Sequence, residues 1–251
     1  MNATAFQDHF SAVAAQYAQA RPEYPPALFD WIASVVPARE LCWEAGCGSG
    51  QASRDLSRVF ERVYATDPSA AQIANAQGPE NVTFAIERGE ACSLGDASAD
   101  AACVAQALHW FDLPKFFAEC GRVLRPGGVL FAWGYQDIEV DADIAGANAA
   151  LQARIHDDWA PERWFIDEAY ASFEFPFEAI DTPRFELRAE WTLPRLLGYF
   201  SSYSAAKLHS ERTGEDAVAL HADALAAAWG DPRRPRTMRW PLFVHARRKQ
   251  G

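Results

Sequence analysis

The sequence predicts an α/β protein built on a doubly wound, Rossmann-like sheet. Three observations support that fold class: short apolar runs suited to buried strands, amphipathic stretches that alternate with them, and a glycine-rich turn directly after the first run. Strands that alternate with helices pair in parallel through right-handed crossovers, and such sheets bind ligands at the carboxyl ends of their strands. We therefore expect a ligand site at that edge of the sheet.

The chain before the first strand predicts two helices. Apolar residues recur at helical spacing over 5–19, a proline-rich segment over 21–26 ends that helix, and a second helix begins near Leu28. The first residues form neither the basic region nor the apolar stretch of a signal peptide, and no run of about eighteen apolar residues follows. These features predict a cytoplasmic protein without a membrane span.

The middle of the chain predicts the core of the sheet. Five apolar runs are short enough for strands and are separated by turns or helical patterns. The predicted strands cover 41–43, 63–66, 82–86, 101–105 and 129–133, and the predicted helices between them begin at 51, 70 and 114.

The pattern changes character after the fifth predicted strand. Helical, aromatic-rich sequence over 136–184 predicts an insertion that roofs the substrate pocket. Two more strands are predicted over 185–191 and 237–246, with helices around 196–203 and 216–229 between them. The chain therefore offers seven strands in all.

The composition narrows the partners. The net charge is -11 at pH 7, which argues against a nucleic-acid substrate because phosphate neutralisation needs clustered Lys and Arg. A basic stretch over 233–249 is the exception, and it fits either a solvated edge hairpin and tail or an interaction patch. The five cysteines form no C-x-x-C pair, which predicts small buried hydrophobic residues and no metal site.

The turn after the first predicted strand is the strongest local signal. Gly46, Gly48 and Gly50 follow the acid Glu44, and a helical pattern begins directly after them. Glycine permits positive φ and close approach of a ligand to backbone amides, and the start of a helix adds partial positive charge. The spacing is G-x-G-x-G, with Gln51 where a dinucleotide fingerprint has its third glycine.

An acid ends the second predicted strand. Asp67 follows the apolar run over 63–66. In a βαβ unit, an acid at this position can accept hydrogen bonds from both hydroxyls of a ribose. The glycine turn and the acid together predict an adenosine-containing ligand.

With these motifs the sequence resembles the class I S-adenosylmethionine-dependent methyltransferases. The motifs that carry the resemblance are, in chain order, the turn over 44–50, Asp67, the stretches over 89–91 and 96–100, and the run over 122–130. The stretches over 17–25 and 107–112 resemble the branch that includes trans-aconitate methyltransferase. The likeness extends over roughly residues 5 to 135.

The resemblance implies a cofactor, S-adenosyl-L-methionine, and a product, S-adenosyl-L-homocysteine. Glu44 would orient the amino-acid part of the cofactor, Asp67 would accept the ribose hydroxyls, and Glu90 would contact the adenine. The cofactor-binding residues that the resemblance implies are Glu44, Gly46, Cys47, Gly48, Gly50, Asp67, Pro68, Glu90, Ala91, Gln106 and Trp110.

The resemblance also implies the domain organisation. The N-terminal helices would fold over the cofactor as a lid, and the last two strands would pair antiparallel to complete a seven-stranded mixed sheet. One methyltransferase domain is then expected over 1–251, with lid helices over 1–36, a cofactor-binding core over 37–135, a helical aromatic cap over 136–184, and completing strands and helices over 185–251.

Three candidate catalytic residues follow from the same resemblance. His109 comes after the fourth predicted strand and would act as a base or orient the substrate, with a structural role as the alternative. Tyr17 and Arg21 would lie near the carboxylate and sulfonium of the cofactor or pack the lid, and Arg21 could instead pair with a substrate carboxylate. Further substrate candidates, with ordinary core packing as their alternative, are Trp164, Trp191, Arg195, Tyr199 and Tyr203.

The expected reaction is methyl transfer from S-adenosylmethionine to a small organic molecule, with a carboxylate or hydroxyl oxygen of a small acid as the first candidate. A pocket of tryptophans would instead favour a hydrophobic or aromatic metabolite. Two other classes stay open: a non-catalytic S-adenosylmethionine-binding protein, and a nicotinamide- or flavin-dependent oxidoreductase, which the missing third glycine disfavours. The protein is expected to be a monomer or homodimer without nucleic-acid or membrane partners.

Overall fold

The strands follow the predicted order along the chain. The computed structural model describes residues 21–251, so Tyr17 and the helix predicted over 5–19 lie outside the described residues. The strands within residues 21–251 are β1 (Leu41–Ala45), β2 (Arg62–Asp67), β3 (Val82–Ile86), β4 (Ala99–Ala105), β5 (Leu124–Tyr135), β6 (Glu178–Ala179), β7 (Glu186–Trp191) and β8 (Arg236–Arg248).

The first five strands pair in parallel, and the last strand closes the sheet in the opposite direction. The order across the sheet is β3-β2-β1-β4-β5-β8, and β7 and the two-residue β6 both pair antiparallel with β8. Residues 242–248 of β8 pair with β5, whereas residues 236–241 pair with β7. The predicted seven-stranded mixed sheet with an antiparallel terminal pair is therefore confirmed, and β6 is a short addition to it.

Helices connect these strands and also form the segment between β7 and β8. The α-helices within the described range are α1 (Pro26–Val35), α2 (Gln51–Leu56), α3 (Ala70–Asn75), α4 (Leu113–Val123), α5 (Ala142–Ile155), α6 (Arg163–Asp167), α7 (Leu193–Ser201), α8 (Ser204–Thr213) and α9 (Ala217–Trp229).

The helix predicted around 196–203 corresponds to α7 (Leu193–Ser201), whereas α8 (Ser204–Thr213) follows it as a helix that the sequence analysis does not predict. The buried side chains of α8 are Ala205, Ala206 and His209. Two alanines and a histidine make a weak apolar stripe, so the helical period is hard to detect in the sequence.

Alternate residues of the strands face two separate apolar cores. Cys42 of β1 packs in a cluster with Leu28 of α1, whereas its neighbour Trp43 packs in another cluster with Phe116 of α4. Successive side chains of a strand point to opposite faces of the sheet, so helices cover both faces. The predicted doubly wound architecture is confirmed.

The aromatic cap after β5 packs partly against the sheet. The rings of Tyr170 and Phe173 stack with their centroids 4.8 Å apart, and Phe243 of β8 meets Tyr170 edge-on at 5.0 Å. Aromatic pairs in these arrangements add to the stability that area burial provides. A large share of the aromatic content of the cap is therefore core rather than pocket lining.

The basic residues near the C-terminus are engaged by the fold. Arg236 forms ion pairs with Asp141 at 2.6 Å and Asp143 at 3.0 Å. The ammonium of Lys249 donates to the carbonyls of Gly121 and Leu124 at 2.6 and 2.7 Å. These contacts favour the structural interpretation of the basic stretch over an interaction patch.

Candidate active site

A cleft of about 1030 Å³ opens at the carboxyl ends of β1, β2 and β4. The strand order reverses between β1 and β4, and such a switch point is the usual ligand site of an open α/β sheet. The cleft is lined by most of the residues predicted for the site, namely Arg21, Glu44, Gly46, Cys47, Gly48, Asp67, Pro68, Glu90, Gln106, His109 and Trp110. Gly50 and Ala91 lie outside its lining.

The glycine turn is held against the end of β2. The amides of Gly46 and Cys47 both donate to the carbonyl of Thr66, at 2.8 and 3.0 Å. Gly46 has φ +70, and a Cβ there would lie 2.7 Å from the Cβ of Ala107. Only glycine fits both the backbone angle and the packing at this position.

Gly48 has a different environment. Its φ is +55, and the only described atom within 4 Å of a Cβ at this position would be the side-chain oxygen of Gln72, at 3.9 Å. The space beside this glycine is therefore open and belongs to the cleft. A ligand can approach the backbone closely here.

Backbone amides hold the carboxylate of Asp67 at the tip of β2. One oxygen accepts the amide of Gly48 at 2.9 Å, and the other accepts the amide of Ser69 at 2.8 Å. The residue is 9% exposed and lines the cleft. A carboxylate oxygen has more than one lone pair, so each oxygen can accept a further hydrogen bond from a ligand.

Glu44 is buried at the end of β1 and accepts a short hydrogen bond from the hydroxyl of Ser53 in α2. Burial raises the pKa of Glu44 to about 8, the Ser53 hydrogen bond opposes that rise, and the charge of Asp67 adds to it. A carboxyl with this pKa carries a proton at pH 7. A cationic ligand group would favour its ionisation.

The far end of the cleft joins the loop after β3 to the loop after β4. A carboxylate oxygen of Glu90 accepts the backbone amide of Asp112 at 2.9 Å, and the other oxygen pairs with Arg88 at 3.3 Å. The ring of Phe111 lies close to both Gly46 and Gly89, and a Cβ on either glycine would come within about 3 Å of it. These contacts close this end of the cleft.

Gln106 ties the end of β4 to the end of β5. Its side-chain oxygen accepts the amide of Tyr135 at 2.7 Å, and its side-chain nitrogen donates to the Tyr135 carbonyl at 3.1 Å. Its backbone has φ +55, which is rare for a residue with a side chain. Strained backbone of this kind is typical of functional sites.

His109 lies in a short 3-10 turn, Leu108–Trp110, and its ring lines the cleft. Its Nδ1 atom lies 2.9 Å from the hydroxyl of Tyr170. Burial lowers the pKa of His109 to about 3, and the charge of Arg163 contributes. The imidazole is therefore neutral at physiological pH and a weak base.

A side chamber of about 70 Å³ opens beside the cleft and shares Arg21, His109 and Tyr135 with it. The other described residues of this chamber include Trp159, Tyr199 and Tyr203. The guanidinium of Arg21 lies 3.3 Å from the hydroxyl of Tyr135 and 5.5 and 5.8 Å from the ring centroids of Tyr199 and Tyr203. Arginine and aromatic rings therefore form one wall.

Residues 158–162 line the cleft and are connected to α8 by hydrogen bonds of Asp158. Asp158 accepts two hydrogen bonds from the guanidinium of Arg212, at 2.6 and 2.7 Å, and lies 2.7 Å from Nδ1 of His209. These contacts lower the pKa of Asp158 to about 2. The next residues along the chain, Trp159 and 160–162, line the cleft.

The five further substrate candidates divide into two groups. Tyr199 and Tyr203 line the side chamber. Trp164 is 57% exposed and lies outside both cavities, and Trp191 is buried in the core with Arg195 stacked over it.

Several cleft residues were missed by sequence reasoning. Phe111 directly follows the His109-Trp110 motif, so its position offered a signal. Asp158 and Trp159 come from the cap, which the sequence predicts to cover the pocket without singling out the residues that line it. The missed lining residues include Gln72, Arg88, Phe111, Asp112, Lys115, Asp158, Trp159, Glu162 and Leu208.

The described residues lack two features that would have changed the interpretation of the site. Within 21–251, no helix is long and apolar enough to cross a membrane. In the same part of the chain, no three His, Cys, Asp or Glu side chains are grouped so that they could hold a metal ion.

Comparison with known proteins identifies the family. The family model described as "Methyltransferase domain" matches residues 43–132, which include the glycine turn, Asp67 and His109. A Dictyostelium discoideum protein with a provisional methyltransferase name is 34% identical over 206 residues, which cover 80% of this chain and 78% of the relative. A Saccharomyces cerevisiae protein, provisionally named as an S-adenosylmethionine-dependent methyltransferase, is 30% identical over 130 residues, or 48% of this chain and 45% of the relative.

A solved structure extends the likeness to the whole described fold. A protein of Anaeromyxobacter dehalogenans with a provisional type II methyltransferase name is 43% identical, with a TM-score of 0.86 over 92% of this chain and 99% of that one. None of these likenesses singles out the trans-aconitate branch, which stays a prediction. The chain belongs to the class I S-adenosylmethionine-dependent methyltransferases, and S-adenosylmethionine is its methyl donor.

Proposed function

We propose that this methyltransferase transfers the methyl group to an oxygen of a small organic acid. The observation that carries the proposal is the position of Arg21 where the side chamber meets the cleft. Its guanidinium lies over the rings of Tyr199 and Tyr203 and donates to the hydroxyl of Tyr135. The chain as a whole is strongly acidic, so an anionic substrate needs a local positive charge of this kind.

The donor fits the β1–β2 side of the cleft. Glu44 and the glycine turn take the amino-acid part of S-adenosylmethionine, and Asp67 with Pro68 takes the ribose. Glu90 and Phe111 bound the adenine end. The open space beside Gly48 and the amide-held carboxylate of Asp67 support this fit, and a cleft of about 1030 Å³ has room for the donor and a small acceptor.

Gly50 and Ala91 have more indirect roles in this proposal. Gly50 has φ +85, and a Cβ there would lie 2.8 Å from the ring of Phe84, so the residue shapes the turn. Ala91 is exposed and forms an isolated bridge with Arg88, beside Glu90. Tyr17 is retained as a candidate near the donor on the sequence resemblance alone.

The acceptor enters on the β4–β5 side of the cleft. Bound S-adenosylmethionine supplies an electrophilic methyl group on a sulfonium, so the protein has to align the acceptor and exclude water. His109 is a neutral, weak base, and its role in the proposal is to orient the acceptor rather than to remove a proton. A carboxylate acceptor needs no base, which agrees with that role.

An apolar or aromatic acceptor is the second candidate. Trp110, Trp159 and the chamber tyrosines offer aromatic surface, and such surface would suit a neutral metabolite equally well. Matched acids and esters separate the two candidates, because the ester removes the charge and keeps the carbon skeleton.

We also propose that the protein works in the cytoplasm as a monomer or homodimer, without a nucleic-acid partner. Its five cysteines are all free, which suits a reducing compartment. Light scattering of the purified protein measures the number of subunits, and a tetramer or larger assembly would contradict the proposal.

The first experiment is calorimetric titration with S-adenosylmethionine, S-adenosylhomocysteine and NAD. Binding of the first two without NAD is expected. Methyl transfer from a labelled donor is then measured over a panel of small hydroxy acids and their carboxyl esters, in which the hydroxyl stays available as the methyl acceptor. Donor binding without turnover on any acid or ester would favour a non-catalytic binding protein, and faster turnover of esters would favour the apolar acceptor.

A further inference from the structure

The side chamber contains a buried hydroxyl that the fold does not satisfy. Tyr203 is 2% exposed, and its hydroxyl makes no hydrogen bond to any residue of 21–251. Burial raises the pKa of Tyr203, and the nearby Tyr199 adds to that rise. The hydroxyl of Tyr199 accepts the indole N–H of Trp240 at 2.9 Å. Buried polar groups in folded proteins almost always have partners, so the Tyr203 hydroxyl indicates a ligand atom in the chamber.

The contact between Tyr170 and His109 determines which ring nitrogen of the histidine carries the proton. Tyr170 is 1% exposed, and the only hydrogen-bond partner of its hydroxyl among residues 21–251 is Nδ1 of His109, 2.9 Å away. A buried O–H donates to the acceptor within its reach, so the hydroxyl proton is directed to Nδ1. A neutral imidazole that accepts at Nδ1 carries its proton at Nε2.

The Nε2–H of His109 is then a donor at the wall of the chamber. His109 lines both cavities, and its Nε2 atom has no hydrogen-bond partner among the described residues. Tyr203 supplies a second donor, its O–H, on the wall formed by the end of α7 and the start of α8. Two donors that belong to the lining of one small space suit a group with two acceptor oxygens.

The charges around the chamber favour an anion. The ionic residues among its described lining are Arg21, Arg163 and Asp137. Arg163 is paired with Asp137 at 2.5 Å and also with Asp167 at 2.9 Å, outside the lining. Arg21 adds a second guanidinium to this lining beside the pair.

The size of the chamber limits what can enter. A cavity holds one water molecule for about every 10–15 Å³ of its volume. The chamber of about 70 Å³ therefore accommodates a carboxylate and a short piece of carbon skeleton. A whole metabolite has to extend into the adjoining cleft, where the methyl donor binds.

We propose that the side chamber anchors a carboxylate of the acceptor, held by the O–H of Tyr203 and the Nε2–H of His109, with Tyr170 as the positioning residue that fixes the His109 tautomer. The inference rests on the proposed function and deepens it, because it names the group that the enzyme recognises apart from the atom that it methylates. The anchored carboxylate lies in the chamber, and the accepting oxygen lies in the cleft.

Ligand pairs test the anchor directly. The probes are succinate, glutarate and benzoate, each beside its full methyl ester, titrated by calorimetry into the protein loaded with S-adenosylhomocysteine. We expect at least one acid to bind tighter than its ester. If S-adenosylhomocysteine itself fails to bind, the proposed function fails; if it binds and no acid is preferred over its ester, the chamber proposal alone fails.

Two substitutions assign the preference to the chamber. Tyr203→Phe removes only the hydroxyl and should weaken binding of the preferred acid about 10- to 100-fold. The affinities for the ester and for S-adenosylhomocysteine should not change. Tyr64→Phe is the matched control, because it removes a hydroxyl bonded to Glu87 and Ser93 outside both cavities. Equal acid affinity in wild type and Tyr203→Phe overturns the proposal.

The positioning role of Tyr170 has its own readout. Nitrogen-15 shifts of labelled histidine report which ring nitrogen is protonated, and His109→Gln assigns the His109 signals among the six histidines. Wild type should show a protonated Nε2 and a bare Nδ1. Tyr170→Phe should give a mixture of the two His109 tautomers and bind the acid several-fold more weakly. Circular dichroism checks that this variant is folded. A protonated Nδ1 in wild type overturns the assignment.

Discussion

The proposed donor side and the proposed acceptor side of the cleft are built by different means. The donor side consists of a glycine turn clamped by backbone hydrogen bonds to the end of β2 and of acids at the tips of two neighbouring strands. The acceptor side consists of side chains from the end of β4, β5, the cap, α7 and α8, which converge from distant parts of the chain. A backbone-built site is local in sequence, and a side-chain-built site is not.

The two sides also differ in how they hold protons. Burial keeps a proton on Glu44 of the donor side and keeps a proton off His109 of the acceptor side. The physical cause is the same, since a low-dielectric environment disfavours the charged form of either group. The carboxyl of Glu44 is thus protonated until a cationic group favours its ionisation. The neutral imidazole of His109 can donate a hydrogen bond.

The largest effect is expected from Gly46→Ala. The new Cβ would meet Ala107 at 2.7 Å and would force φ +70 on a residue with a side chain, so the protein should lose about 2–5 kcal/mol of stability and bind S-adenosylmethionine at least 100-fold more weakly. Denaturant unfolding and calorimetry measure the two losses.

Gly214→Ala is the control for this change. Gly214 has φ +76 with no atom within 4 Å of a Cβ position, so only the backbone strain of about 1–2 kcal/mol is expected, with donor affinity intact. Equal effects of the two substitutions would mean that the packing of the turn against Ala107 is unimportant.

The next effect concerns the acid at the tip of β2. Asp67→Ala should weaken S-adenosylmethionine binding by about 1.5–3 kcal/mol, because ribose hydroxyls would lose an ionised acceptor. Asp96→Ala is the control, since Asp96 is exposed and pairs with Arg122 outside the cleft. Unchanged donor affinity in Asp67→Ala would place this acid outside the donor site.

The pH dependence of stability should show the two buried groups with opposite signs. Folded Glu44 holds its proton up to a pKa of about 8, whereas unfolded Glu loses it near 4.5, so its contribution falls as pH rises from 4.5 to 8. Unfolded His gains a proton below about 6.5 and folded His109 does not until about 3, so its contribution falls as pH drops from 6.5 to 3.

Substitution separates these contributions. Between pH 6.5 and 8, Glu44 should make the stability of wild type fall by about 1.4 kcal/mol per pH unit, and Glu44→Gln should lack this fall. Below pH 4.5, His109→Gln should likewise lack the fall in stability that His109 causes in wild type. Urea unfolding at half-unit steps of pH gives the slopes. A Glu44→Gln curve parallel to wild type above pH 6.5 would show that Glu44 is ionised in the folded protein.

The smallest effect compares two tryptophans of the cap. Trp159 lines both cavities and packs on Tyr203 with ring centroids 5.1 Å apart, whereas Trp164 is 57% exposed and lines neither. Trp159→Ala should raise the acceptor KM roughly fivefold, through the loss of about 1 kcal/mol of aromatic contact. Trp164→Ala should change the acceptor KM by less than twofold. A larger rise in KM for Trp164→Ala than for Trp159→Ala would mean that the acceptor lies on the outer face of the cap.

The sequence by itself determined the fold class, the succession of strands along the chain and the methyl donor, and it predicts the residues of the proposed donor side. The glycine turn, Asp67 and Glu90 depend on backbone angles and on the ends of successive strands, and both are encoded in short stretches that parallel βαβ geometry brings to one edge. The same local logic predicted the strands over 41–135 within a few residues.

Only the tertiary structure decided the acceptor side. Whether Tyr203 or Trp191 faces a cavity depends on how α7 and α8 pack on the sheet, and no local pattern distinguishes a buried aromatic that fills the core from one that lines a pocket. The ring of His109 contacts the hydroxyl of Tyr170, sixty-one positions away in the chain. Burial and partners set pKa values and hydrogen bonds, and both arise only when distant segments come together.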